Sequence, residues 1–278
     1  MERRRFLLTA LASAFVTPLV AEAQQAGKVW RIGILSPAAT SATAAPYVDA
    51  LRSNLGELGW IDGHNIAFEE RYSAGKPELL PQLAAELVTG LSTLTPELPV
   101  KGLEVLREAT PNATCIALLF NPSFRFTTDV VIRPVQDSAR SLGAVVHGVE
   151  VRTPDDFPRA FTAIRQRADA ILVILDPFTF LHVSRIAELA LDHKLPSLYG
   201  AREFVFVGGL LAYGPNALDM YRRSVAVYVD KIFKGANPAE LPVQQPTNFE
   251  LVINMNTAKA LGVTMPPSLL VRADHVIE

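Results

Sequence analysis

Cysteine is almost absent from this chain. Among 278 residues only Cys115 is a cysteine, so no intrachain disulfide can form. Its surroundings, TCIALLF, are apolar, which favours a buried, inert thiol over a nucleophile. An excess of one charge is also missing: 26 Lys and Arg stand against 28 Asp and Glu, for a net charge of −2. No basic stretch beyond the N-terminus is dense enough for nucleic acid. G-x-S-x-G, H-E-x-x-H, a Walker A loop and G-x-G-x-x-G do not occur. The histidines 64, 147, 182, 193 and 275 are scattered, and His182 and His193 sit too far apart on one helix face to share a metal. These absences speak against an enzyme, and no metal or cofactor is expected. The longest apolar stretch, ending at Val20, is shorter than the ~20 residues of a spanning helix and contains Thr, Ser and Pro.

What is present is ample apolar material, 49% of residues, with 19% charged. This suffices for one large or two modest domains and argues against disorder. Residues 1–23 read as a cleavable export signal. Arg3, Arg4 and Arg5 precede an apolar segment, and Ala21-Glu22-Ala23 supplies a small-x-small cleavage site. Arg-Arg-x-Phe-Leu is similar to the twin-arginine export signal, although an ordinary secretory signal could carry the same arginines. The mature chain is expected to begin near Gln24, outside the cytoplasm, and no cysteine follows the apolar segment to carry a lipid anchor.

Apolar periodicity predicts a β-α-β-α opening: strand 28–36, helix 46–58, strand 66–72 and helix 77–88. A loop-like stretch, TGLSTLTPELP, then stands where an alternating pattern expects a third strand. Alternation resumes with helix 100–109 and strands 114–120, 144–151, 170–175 and 196–200, separated by helices. A long helix is expected over 217–234, a strand over 249–254, and short helices over 256–261 and 268–273. The run AILVILDP (Ala170–Pro177) is apolar on both faces and ends in Asp176-Pro177. It reads as a strand buried in a parallel sheet, followed by a helix that Asp176 caps and Pro177 opens.

In open α/β sheets ligands bind beyond the carboxyl ends of the strands. On that ground Asp176 and Asn121, each at such an end and followed by proline, are ligand-binding candidates; either could instead simply cap a helix or turn. Ser36, ending the first strand, could present its hydroxyl and nearby N–H groups to a carboxylate. Tyr199 and Tyr213 are candidate aromatic walls, with core packing as the alternative for each. Glu203 faces either the cleft or solvent, and solvent is favoured.

The blocks RIGILSP, LGELGWIDGHNI, GKPELLPQLAAELV, LLFNP, ADAILVILDP, LPSLYGAREFV, GGLLAYGPN, YVDKIFKGANPAELPVQQPTNFELVIN and LGVTMPPSLL resemble, in order, the ABC-transporter substrate-binding protein family associated with tryptophan or tyrosine uptake. The resemblance implies an α/β, two-lobed type I periplasmic-binding-protein fold with parallel doubly wound sheets. It divides the chain into a first lobe, 24–98 and 215–278, and a second lobe, 99–214. It implies a periplasmic or otherwise exported solute-binding component of an ABC importer, closing on an amino acid or similar solute, with permease and ATPase subunits as partners. Relatives carry further βα units between AAELV and TGLS, so the first lobe here reads as truncated by roughly two strands with their helices. Two strands make a poor sheet with an open edge. Lowered stability, or a dimer through the truncated lobe, is the expected consequence. A non-transporting remnant and a periplasmic sensor or interaction module of the same fold are the alternative readings.

Overall fold

The computed structural model describes residues 29–36, 41–72, 97–123, 125–242 and 246–278. The export signal, the expected helix 77–88 and the junction at Val88-Thr89 lie outside them. The described chain forms two β-sheets, one of two strands and one of seven.

In the larger sheet, strict alternation within apolar strands determines what covers each face. Strands β3 (Cys115–Phe120), β4 (Val145–Glu150), β5 (Ala170–Val173), β6 (Ser197–Tyr199), β7 (Leu211–Pro215), β8 (Phe249–Asn254) and β9 (His275–Ile277) lie in the order β4-β3-β5-β6-β7-β8-β9. Ile116, Leu118, Ala170 and Leu172 point to one face. There they pack with Leu103 and Leu106 of α2 (Leu98–Ala109), Val135 of α3 (Arg125–Ser141) and Leu269 of a C-terminal helix. Ala117, Leu119, Ile171 and Val173 point to the other, against Phe157 and Phe161 of α4 (Asp156–Arg167) and Ile186 and Leu189 of α6 (Val183–Asp192). Burial on both faces is why AILV carries no polar residue.

Pairing is parallel throughout except β7 with β8, where Gly214 stands opposite Glu250. Strand β9, which periodicity did not reveal, joins parallel to β8. The single helix expected after Asp176 is two helices, α5 (Pro177–Leu181) and α6, broken at His182.

The smaller body contains β1 (Trp30–Ser36) parallel to β2 (Ile66–Tyr72), with α1 (Ser41–Glu57) between them. Among the described residues β2 pairs only with β1. The long helix after Asn216 closes this body. It begins as α8 (Ala217–Asp219), widens into a π-helical turn over Met220–Val225 and ends as α9 (Ala226–Phe233). Leu51, Leu55, Ile32, Ile66 and Ala226 form the small core, and Phe233 lies between the tryptophans, stacked on Trp30 and edge-on to Trp60, with ring centroids 4.8 Å from each.

The assignment of all of 215–278 to the first lobe is therefore corrected. Residues 217–233 pack on the two-stranded sheet, but β8, α10 (Met255–Leu261), α11 (Pro267–Arg272) and β9 belong to the seven-stranded body. The reason is the antiparallel β7–β8 ladder: FELVIN, buried on both faces along nearly its whole length, continues the interior of the larger sheet.

Candidate functional site

The carboxyl ends of β3, β5 and β6 share one rim of the larger sheet, and polar groups collect there. Asp176, 6% exposed, caps α5. The Thr179 amide donates to Asp176 Oδ1 at 2.8 Å, and the Asp176 amide donates to Thr179 Oγ1 at 3.0 Å, a reciprocal capping box. Pro177 fits the first turn because its missing N–H would have had no helical partner. The Asn121 amide donates to Asp176 Oδ2 at 3.4 Å. Burial pushes the Asp176 carboxyl up to about 6, against the opposing pull of the Thr179 and Asn121 amides. Its two oxygens offer about four acceptor positions, so the cap leaves capacity for a further donor. Asn121, 4% exposed, accepts from the Ser123 amide at 2.9 Å and so also shapes the turn that follows β3.

The structure thus brings Asn121 and Asp176 together and separates the two tyrosines from them. Tyr199 is fully buried, stacked on Phe204 at 4.4 Å within the α4–α6 face. Its expected role as a wall of an open cleft is corrected: Tyr199 is an inward-facing strand residue with the role of a core side chain. Tyr213 packs toward the opposite, α2 face and stacks on Phe249 at 6.3 Å, so the two rings do not face one another. Ser36 ends β1 as expected, and its side chain lies outside the described residues. Cys115, expected to be buried, is half-buried, and desolvation followed by the nearby charge of Asp169 raises its thiol above the ordinary range.

Sequence reasoning missed a second polar group next to this rim. Helix α7 (Arg202–Phe206) follows β6 directly. Arg202 Nη1 donates to Glu250 Oε2 at 3.1 Å, and Asn216 Nδ2 donates to the same oxygen at 3.0 Å. Glu250 is 4% exposed. Burial raises its carboxyl, opposed by the nearby positive charge of Arg202. A carboxylate inside the apolar run FELVIN was the available signal, since a buried charge must find a partner. Two of the chain's passages between the bodies meet here: the Asn216 amide donates to the Asn248 carbonyl at 3.0 Å, and Asn248 Nδ2 donates to Asp219 Oδ2 at 2.6 Å. An open polar depression of about 660 Å³ lies over this junction, lined in part by Asp219, Asn248, Glu250 and His275.

Glu203, expected in solvent, is half-buried and accepts a hydrogen bond from the Tyr47 hydroxyl of α1. Among the described residues no cluster of three or more His, Cys, Asp or Glu is placed to hold a metal ion.

The family model described as "ABC transporter substrate binding protein" matches residues 76–277. A curated tyrosine-binding protein from Clostridioides difficile is 21% identical over 163 residues, which cover 59% of this chain and 47% of that protein. The chain thus spans about half the length of this relative. Among solved structures, a conserved domain protein from Vibrio cholerae O1 biovar El Tor has a TM-score of 0.79 at 21% identity, over 90% of this chain and 100% of that one. An ABC domain from Streptococcus pneumonia in complex with L-Trp has a TM-score of 0.77 at 20% identity, with the same coverage. At these identities the structural matches speak to the fold, which is of the type I periplasmic-binding-protein kind.

Proposed function

Because this chain belongs to the ABC transporter substrate-binding protein family, a family of solute-binding proteins rather than enzymes, we propose that it is the exported component of an ABC importer. It binds an amino acid or similar small solute between its two bodies. The observation that carries this reading is the pair Asn121–Asp176, two buried polar strand ends joined by a hydrogen bond on the rim where such folds take ligands. Asp176 receives a positively charged head group, and Asn121 and Ser36 contribute further polar contacts. Tyr213 remains a candidate contact for the ligand's apolar part. The tyrosine- and L-Trp-binding relatives favour an aromatic amino acid as the first ligand to try.

Binding works by closure of one lobe on the other, and the closed form is what the permease and ATPase partners receive. Export rests on the basic, apolar and small-x-small series of residues 1–23. Among the described residues no helix is long and apolar enough to cross a membrane. Among the described residues β2 pairs with β1 alone, which favours a second reading, a remnant whose first lobe pairs with another copy through β2 and no longer transports.

A thermal-shift screen of the chain from Gln24 against amino acids and small organic acids, with light scattering on the same samples, tests both. A ligand at a hundredfold excess over its Kd stabilises by about 2.7 kcal/mol. A clear rise in melting temperature with one solute supports the importer reading. No rise with any solute, together with dimers in the scattering trace, overturns it in favour of the remnant.

A further inference from the structure

The hydrogen bond between Tyr47 and Glu203 joins residues 156 positions apart and bridges the two bodies of the fold. Tyr47 lies on α1, the helix that follows β1. Glu203 lies in the first turn of α7, the helix that follows β6. Both therefore sit on the carboxyl-end side of their sheets, the side on which a solute would enter.

Each partner is held from behind. The Tyr47 ring meets Tyr221 at 5.4 Å. Tyr221 belongs to the π-helical turn, a widening that often marks functional positions, and this turn packs against α1. The carbonyl of Arg222 in that turn accepts from Asn54 Nδ2 of α1, so α1 and the π turn are fastened side by side. On the other side, Arg202 is fixed by its buried pairing with Glu250, and Glu250 also holds Asn216 at the crossover. The residue beside Arg202 is Glu203, so the carboxylate that meets Tyr47 rides on a turn anchored to the pivot. Burial first, and then the charge of Glu203, push the Tyr47 hydroxyl far above its ordinary range, which keeps it a proton donor.

We propose that Tyr47 and Glu203 form an interlobe latch, a pair of positioning residues that stabilises the closed arrangement of the two bodies and so sets the affinity for whatever solute lies between them. This rests on the two-lobed reading above but not on the identity of any ligand. A hydrogen bond to an ionised carboxylate is strong enough to shift an open-to-closed ratio by about tenfold. The anchored first turn of α7 makes the contact sensitive to rotation about the crossovers, so it breaks early on opening.

Small-angle scattering on the ligand-free purified chain tests this without requiring a solute. Tyr47→Phe keeps the ring and its packing on Tyr221 and removes only the donor; Glu203→Ala removes the acceptor. Each is expected to give a larger radius of gyration than the unmodified chain, with unchanged far-ultraviolet circular dichroism. The double variant is expected to match either single one, because both remove the same contact. Identical scattering profiles for the unmodified chain and both single variants would overturn the latch. So would additive expansion in the double variant, which would point to two independent packing defects. Failure of the solute screen leaves these profiles unaffected, so the two readings fail separately.

Discussion

The main-chain amide of Asn121 donates to the carboxylate of Asp176 at 3.4 Å, linking the ends of β3 and β5 through a group that is 6% exposed. Burial opposes ionisation at this position, and the carboxyl moves from 3.8 to about 6. The folded chain therefore holds this proton more tightly than the unfolded chain. The contribution of Asp176 to stability is greatest below pH 4, falls as pH rises through 6, and is level above that. The full difference is about 3 kcal/mol.

Asparagine caps helices about as well as aspartate and does not titrate. Asp176→Asn should thus remove this pH dependence while keeping the Thr179 contact. Urea unfolding at several values between pH 4 and 7 is expected to show the variant gaining on the unmodified chain as pH rises. Parallel stability curves for the two would contradict the assignment.

Gly214 is a second point at which the rim tolerates little change. A Cβ there would lie 2.0 Å from the carbonyl oxygen of Gly200. The obstructing atom is backbone and cannot swing aside, and Gly200 itself has Leu175 against it. Overpacking in a well-packed site costs about 1–3 kcal/mol and sometimes more. Gly214→Ala is expected at or beyond the upper end, read as a lowered urea midpoint by circular dichroism. An unchanged midpoint would mean that β6 and β7 can separate at their ends.

These two sites show what was legible in the sequence. The AILVILDP run announced a strand buried on both faces and a capped helix after it, because apolar residues suit such a strand and Asp-Pro suits a helix start. Tyr199 misled because its hydroxyl suggests a wet end, whereas strand alternation turns the ring into the core beside Phe204. The return of β8 to the larger sheet depends on the β7–β8 ladder, a pairing between distant segments that local periodicity cannot register. The part played by Glu203 was hidden for the same reason: its partner Tyr47 is 156 positions away.

Glu250 offers a test of how the crossover is held. It is the shared acceptor for Arg202 and Asn216, with the Arg202 and Glu250 side chains 15% and 5% exposed. Removing one member leaves the other charge buried without compensation, which costs about 3 kcal/mol or more. Glu250→Leu is expected to lose that much in urea unfolding. The pair Arg202→Met with Glu250→Leu should lose much less, since an apolar pair of similar volume needs no partner. Equal losses in the single and double variants would show that packing, not charge compensation, is the larger contribution.

The relative stability of the two bodies can be read spectroscopically, because the chain has two tryptophans and both lie in the smaller body. Trp30 and Trp60 flank Phe233, and Trp60 Nε1 also donates to Asp230 at 2.9 Å. Fluorescence therefore reports the two-stranded body, while circular dichroism is dominated by the seven-stranded body and its helices. A sheet that shows two strands among the described residues buries little area and is marginal on its own. Unfolding followed by fluorescence is accordingly expected at lower urea than unfolding followed by circular dichroism, a departure from two-state behaviour. Phe233→Ala removes the ring between the tryptophans at a cost of about 3 kcal/mol and should widen the gap by lowering the fluorescence midpoint alone. Coincident transitions in both proteins would mean that the crossovers and the Tyr47–Glu203 contact bind the bodies into one cooperative unit. In that case the small sheet needs no second copy for its stability, and the dimer reading loses its physical basis.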